Sequence, residues 1–361
     1  MPRIFGRCTS VGTERFRNRF RELAPDHFTL CGDRWLSSIG LGTYTANCNP
    51  LKSKQLSAAI QYLVAGGCNV IDTAPNYFDG LAERIVGEEI AALCFRNRSA
   101  CREEIFVTTK VGLVPSRVVV ALGTGGLKGL DAGSVLNEGL CFEPAYLRWQ
   151  VARSLEHLGL QTVDCLFLHN IDVLWLTYGR EECLRIFAKC VETLEELVVE
   201  GWIDAYGVSA WNGFRLAEPV LGYLSLAELC TTVQATHGPN AHFRFIQVPI
   251  GLWAPEAIVL HNQQGVRSGQ RVPLLRAARN MGLAVIANGS LLQGELIDTP
   301  LLRTNHGISD LTGPLQAIQF SRSIPAVTSV LVGMNQPEHC RQNVSLFAMP
   351  KADLRLFNSP D

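Results

Sequence analysis

Short apolar runs alternate along the chain with longer stretches whose apolar residues recur at helical spacing. The runs fall at 37–42, 70–72, 105–110, 163–169, 204–209, 245–248, 283–288 and 328–333, lengths that suit buried strands. Leu56, Ala59, Ile60, Leu63 and Val64 mark one helix face, stopped by Gly66-Gly67. Leu184, Phe187, Val191, Leu194, Leu197 and Val198 mark another, ended by Gly201. A helix over about 81–93 follows the second run, with Asp79 as its expected N-cap. Ahead of the first run, 28–30 and 34–36 flank Cys31-Gly32-Asp33 and predict a hairpin. Eight strand–helix units favour one closed parallel barrel of α/β class over two domains. An open, doubly wound sheet is the alternative, but no G-x-G-x-x-G follows the first strand, where Gly40-Leu-Gly42 stands alone.

The barrel is expected over 28–350, after an extension over 1–27 that is flexible or, against the acidic Glu14 and Glu22, a targeting segment, and before a tail over 351–361. Residues 112–141, after the third strand, form an insertion that reads either as a lid or pocket wall or as surface decoration. Of the 361 residues, 47% are hydrophobic and 18% charged, enough apolar material for a large core. A formal charge of −1 with no basic block leaves no electrostatic footprint for nucleic acid. No apolar run reaches membrane-spanning length. The 12 cysteines are scattered, without C-x-x-C or a Cys/His cluster. Reduced thiols in a cytoplasmic protein, with no metal, are therefore expected.

The strand ends carry the chemistry. They are Gly42, Asp72, Lys110, His169, Ser209, Gln247, Asn288 and Gly333, and in a parallel barrel they converge on one mouth. Tyr77 follows Asp72 by five residues, in a loop kept non-helical by Pro75. A lysine closing the run IFVTT is expected to be buried and to need a partner, for which Asp72 is the candidate. A cation beside Tyr77 is expected to lower its pKa towards useful acid–base range. His169 is placed to orient a carbonyl oxygen. Singly, each residue reads more readily as a cap, a solvated cation, a core-edge ring or a structural histidine.

GGCNVIDTAPNYFDGLAERIVGEEI, IFVTTKVG, SLEHLGLQTVDCLFLHN, LEELVVEGWIDAYGVSAWN and VTSVLVGMNQPEHCRQNV together resemble the aldo-keto reductase superfamily, in that family's order, over roughly 28–346. The resemblance implies a (β/α)8 TIM barrel with a hairpin closing its base and NAD(P)-dependent interconversion of carbonyls and alcohols. It implies a tetrad of Asp72, Tyr77, Lys110 and His169, with Tyr77 as proton donor. It also implies a dinucleotide site over Gly42, Thr43, Asp72, Ser209, Ala210, Gln247, Asn288, Leu291, Gly333, Asn335, His339 and Asn343. Ser209 and Gln247 match carboxamide-binding positions. Ala210 replaces the usual Asn, for which Asn212 is a substitute. Asn288 replaces the aromatic that stacks on nicotinamide, for which Trp211 is a substitute.

Gly333, Asn335 and His339 stand where relatives place cations for the 2′-phosphate. The family favours NADP; the missing cations tilt the expectation towards NAD or dual use. Pocket walls are expected from Tyr44, Phe78, 112–141, 171–176 and Trp211. The resemblance also admits a cofactor-binding regulatory subunit, or a non-redox tailoring enzyme on the same barrel.

Overall fold

The computed structural model describes residues 3–44, 49–123, 135, 139–295, 308, 311 and 313–354. A helix α1 (Ser10–Arg19) precedes the hairpin β1 (Phe28–Cys31) and β2 (Arg34–Ser37). The barrel strands β3 (Ile39–Gly42), β4 (Val70–Asp72), β5 (Phe106–Val111), β6 (Cys165–His169), β7 (Tyr206–Ser209) and β8 (Phe243–Pro249) follow. A two-stranded ribbon, β9 (Gln263–Gln264) with β10 (Arg271–Val272), interrupts the series before β11 (Ala284–Asn288) and β12 (Val327–Gly333) complete it. Every neighbouring barrel pair is parallel, and β12 closes on β3 through Gly333 opposite Gly42.

Between and after the strands lie α2 (Pro50–Ala65), α3 (Leu81–Ala91), α4 (Ser116–Gly123), α5 (Pro144–Leu158), α6 (Asp172–Tyr178) and α7 (Arg180–Val199). They are followed by α8 (Leu226–His237), α9 (Glu256–Val259), α10 (Leu274–Asn280), α11 (Gly313–Ser323) and α12 (Pro337–Ser345). The eight expected strands and the hairpin all form. The first run splits: Ser37 ends the hairpin, its Oγ donating to Ile39 O at 2.8 Å, before β3 begins. The helix start expected at Asp79 falls instead at Gly80, after a 3-10 turn over Tyr77–Gly80.

Strand alternation sorts the core. Val70, Phe106, Cys165, Phe167, Ala205, Phe245, Ile286 and Leu331 pack together inside the barrel, and Leu36 of the hairpin joins them. Ile71, Val107, Leu166, Leu168, Val208, Ile246, Val285 and Val330 belong to the cluster shared with the helices. Two-residue periodicity then carries the inner face upward to Asp72, Lys110, His169, Ser209, Gln247, Asn288 and Gly333. The polar mouth is the continuation of the apolar inner layer.

The N-terminal segment is not a loose extension, as expected from its Arg-rich composition. The Phe16 ring of α1 is fully buried, 6.1 Å from that of Phe28. Arg15 and Arg19 bind the buried Glu104 carboxylate at 2.7 and 2.8 Å. The arginines serve a fixed partner, which composition alone conceals. Within the 112–141 insertion, 124–134 and 136–138 lie outside the described residues; its described part includes α4 and Val114, Val118, Leu122 and Cys141, which pack with Tyr146 of α5. Among the described residues the cysteines are free, and no helix is long and apolar enough to cross a membrane.

Candidate active site

Asp72 ends β4 with its carboxylate nearly fully buried. Oδ2 accepts from Lys110 Nζ at 2.6 Å; Oδ1 accepts from Thr108 Oγ1 at 2.7 Å and Gln247 Nε2 at 2.8 Å. Thr108 and Lys110 share the inner face of β5 because they are two residues apart. Lys110 Nζ also donates to Thr73 O at 3.0 Å, so the buried ammonium has the partners that its desolvation demands.

The loop after β4 presents Tyr77. Its N–H donates to Ala74 O at 3.0 Å, and Phe78 and Gly80 take positive φ of 51° and 85°. Gly80 is required by its φ, which disfavours any Cβ; the nearest atom to an added Cβ, Arg117 Nη2 at 2.1 Å, is the far end of a flexible side chain that can move aside. Below the loop, the fully buried Glu83 accepts from Thr109 Oγ1 at 2.8 Å and meets His157 Nδ1 at 3.2 Å, tying the first turn of α3 to β5 and α5. Lys110 Nζ lies 4.8 Å from the centre of the Tyr77 ring, and the rings of Tyr77 and His169 are 6.3 Å apart, edge to face. Tyr44 stands edge-on to Tyr77 at 5.2 Å.

The four groups expected to meet do meet, but their ionisation differs from expectation. Burial pushes the Tyr77 phenol up and prevails over the Lys110 cation, which pulls it down; Asp72 adds to the rise. The expected lowering neglected desolvation, the larger effect in a water-poor site. Lys110 is raised as well: burial pulls it down, and Asp72 and Tyr77 outweigh that pull. Burial, aided by Lys110, drives His169 well below the usual imidazole range, so its ring is neutral.

Of the expected dinucleotide positions, Gly42, Asp72, Ser209, Gln247, Asn288 and Gly333 lie at the same end of the barrel strands. Gly42 and Gly333 are partners at adjacent strand tips, where an added Cβ would approach no atom closer than 3.6 Å, leaving open backbone. Thr43 Oγ1, Asn288 Oδ1 and Asn335 Oδ1 are buried without partners among the described residues. Such orphaned polar atoms suit a polar ligand. Ser209 Oγ bonds Gln247 Oε1 at 3.3 Å, and Ala210 N–H donates to Gln247 O at 3.1 Å. Asn212 is exposed, its N–H held by Asp172 at 2.9 Å. Leu291 leads into a 3-10 turn; His339 and Asn343 lie on α12, Asn343 buried. Arg341, the one cation of α12, is engaged by Glu338 at 2.5 Å.

The expected pocket walls divide. Phe78, Ile171, Leu174 and Trp175 are buried in the core, while Tyr44 is partly exposed at the mouth. A separate cavity of about 420 Å³ lies among Pro75, Glu83, Pro115, Val118, Trp149 and His157, and none of the tetrad lines it. Sequence reading missed Thr108 and the Gln247–Asp72 bond; the two-residue spacing of Thr108 from Lys110 was the available signal.

Comparison with known proteins identifies the family. The model of the Aldo/keto reductase family matches residues 38–233. The chain is 32% identical over 202 residues to the NADH-specific methylglyoxal reductase of Escherichia coli (strain K12), covering 55% of this chain and 54% of that protein, about half its length. It is 24% identical over 313 residues to the D-threo-aldose 1-dehydrogenase of a Pseudomonas species, covering 83% and 85% of the two chains. An aldo/keto reductase from Klebsiella pneumoniae, solved in complex with NADP and acetate, superposes with a TM-score of 0.60 at 21% identity, covering 94% of this chain and 96% of that one. At that identity the likeness concerns the fold.

Proposed function

Because the chain belongs to the aldo/keto reductase family, we propose that it interconverts a carbonyl and an alcohol with a nicotinamide dinucleotide. One observation carries the reading: Lys110 is ion-paired to Asp72 at 2.6 Å while its ammonium lies 4.8 Å from the centre of the Tyr77 ring. Gly42, Thr43, Ser209, Asn288, Gly333, Asn335 and Asn343 would hold the dinucleotide, which would supply hydride for reduction or take it in oxidation.

Tyr77 gives its phenolic proton to the carbonyl oxygen during reduction and recovers it during oxidation. Its raised pKa keeps the phenol protonated through neutral pH, so reduction holds steady there and oxidation climbs into alkaline pH. Lys110, fixed by Asp72, stabilises the charge left on the phenolate. His169, neutral, presents a ring nitrogen that orients the carbonyl without adding charge.

The substrate we favour is a small aldehyde, ketone or sugar. The methylglyoxal- and aldose-acting relatives support that class, as does a mouth with Tyr44 and Trp211 in it. The test is a panel of methylglyoxal, aromatic aldehydes and aldoses with NADH and NADPH, read at 340 nm in both directions. Turnover of at least one class supports the proposal. Dinucleotide binding without turnover of any would favour a regulatory subunit instead.

A further inference from the structure

The resemblance assigns the nicotinamide carboxamide to Gln247, yet the Gln247 amide is already committed. Its Nε2 donates to Asp72 Oδ1 at 2.8 Å, and its Oε1 accepts from Ser209 Oγ at 3.3 Å and Asn288 Nδ2 at 3.4 Å. Asn288 ends β11 on the same inner face, one strand over, and its Oδ1 is buried with no partner among the described residues. A carbonyl oxygen shut off from water is suited to an N–H donor, and a primary carboxamide brings two. The Trp211 ring is adjacent: a Cβ on Gly289 would lie 3.4 Å from Trp211 Cη2.

We propose that Asn288, rather than Gln247, accepts the carboxamide N–H of the nicotinamide, and that its Nδ2 fixes the Gln247 amide on Asp72. Asn288 is thus a ligand-binding residue through Oδ1 and a positioning residue through Nδ2. The hydrogen bonds run from Asn288 to Gln247 Oε1 and from Gln247 Nε2 to Asp72, whose other oxygen holds Lys110. The charged and titratable groups facing Tyr77 are Lys110, Asp72, His169 and Tyr44. Loosening Gln247 leaves the Asp72 charge less compensated, which raises the phenol further. The inference rests on the reading of the site as a nicotinamide oxidoreductase.

The test compares NADH and NADPH with their acetylpyridine analogues, in which a methyl group replaces the amide nitrogen and no N–H remains. Binding is followed by quenching of tryptophan fluorescence. Wild type should prefer the carboxamide by about tenfold, the scale of one hydrogen bond. Asn288→Ala should bind both forms alike, and the alkaline limb of its alcohol oxidation should move to higher pH. Asn288→Asp keeps an acceptor but loses the donor, so it should retain the preference while its pH limb still moves up. It also preserves the side-chain shape if the alanine variant does not fold. No preference in wild type, a preference undiminished in Asn288→Ala, or an unmoved limb in Asn288→Asp would overturn the inference. Failure of wild type to bind any dinucleotide would instead defeat the underlying reading of the site.

Discussion

Replacing Asp72 by Asn isolates what the buried ion pair contributes. In the wild-type protein the carboxylate accepts three hydrogen bonds, from Lys110, Thr108 and Gln247. Lys110 is only 1% exposed, and without the Asp72 charge it is left with neutral partners such as Thr73 O at 3.0 Å. Stranding a buried charge in this way costs about 3–5 kcal/mol. The variant's lysine then loses its proton more readily than it would unfolded. Below the unfolded pKa of about 10.4 the unfolded chain holds the extra proton, so the stability of Asp72→Asn should rise between pH 7 and 9.5 relative to wild type.

Adding Lys110→Met removes the stranded charge. The double variant should recover most of the lost stability but none of the turnover, separating the fold from the chemistry. Urea unfolding followed by circular dichroism at the two pH values, with steady-state assays on all four proteins of the cycle, measures this. A loss below about 1 kcal/mol in Asp72→Asn, with a pH dependence parallel to wild type, would refute the reasoning, because a solvated or distant pair behaves that way.

Other outcomes follow from the same geometry. His27 is fully buried, with Nε2 3.1 Å from Gly67 O, and burial holds its pKa down to about 3. The unfolded chain therefore takes up that proton first: stability should be flat above about pH 6.5 and fall by about 3 kcal/mol by pH 4.5. His169, also held neutral by burial, adds a slope of its own over the same range, so His27→Gln should remove only the His27 share in urea melts. Gly80→Ala forces a Cβ into φ 85° and should cost about 1–2 kcal/mol, with reduced turnover because the Tyr77 loop shifts; kcat and the melting midpoint should both fall. With Arg341 engaged by Glu338, NADH and NADPH dissociation constants should lie within about tenfold, or 1.4 kcal/mol. A thousandfold preference for NADPH in equilibrium titrations would place a cation at the 2′-position.

Much of this architecture was legible because each barrel strand is a compact apolar run bounded by glycine or a polar residue. The strand ends at Asp72, Lys110 and His169 stood out as polar groups closing apolar stretches. What stayed hidden was which residues of a run face inward. A parallel strand is buried on both faces, so its sequence shows no polar–apolar alternation; Thr108 and Thr109 are told apart only by the two-residue step from Lys110, one serving Asp72 and the other Glu83. The N-terminal helix was missed because its value lies in a distant partner, Glu104. The phenol's direction of shift was missed because attraction to a lysine can be read from spacing, whereas the depth of burial cannot.

The central claim is that Tyr77 transfers the proton at a site assembled by Asp72, Lys110 and His169. Tyr77→Phe removes one oxygen atom and keeps the ring that faces Lys110, His169 and Tyr44. Dinucleotide affinity should stay within about threefold of wild type, a change well under the tenfold that marks 1.4 kcal/mol. Carbonyl reduction at neutral pH should fall by about 10²–10⁴. A phenylalanine variant that reduces the same carbonyl at near wild-type rate would contradict the account.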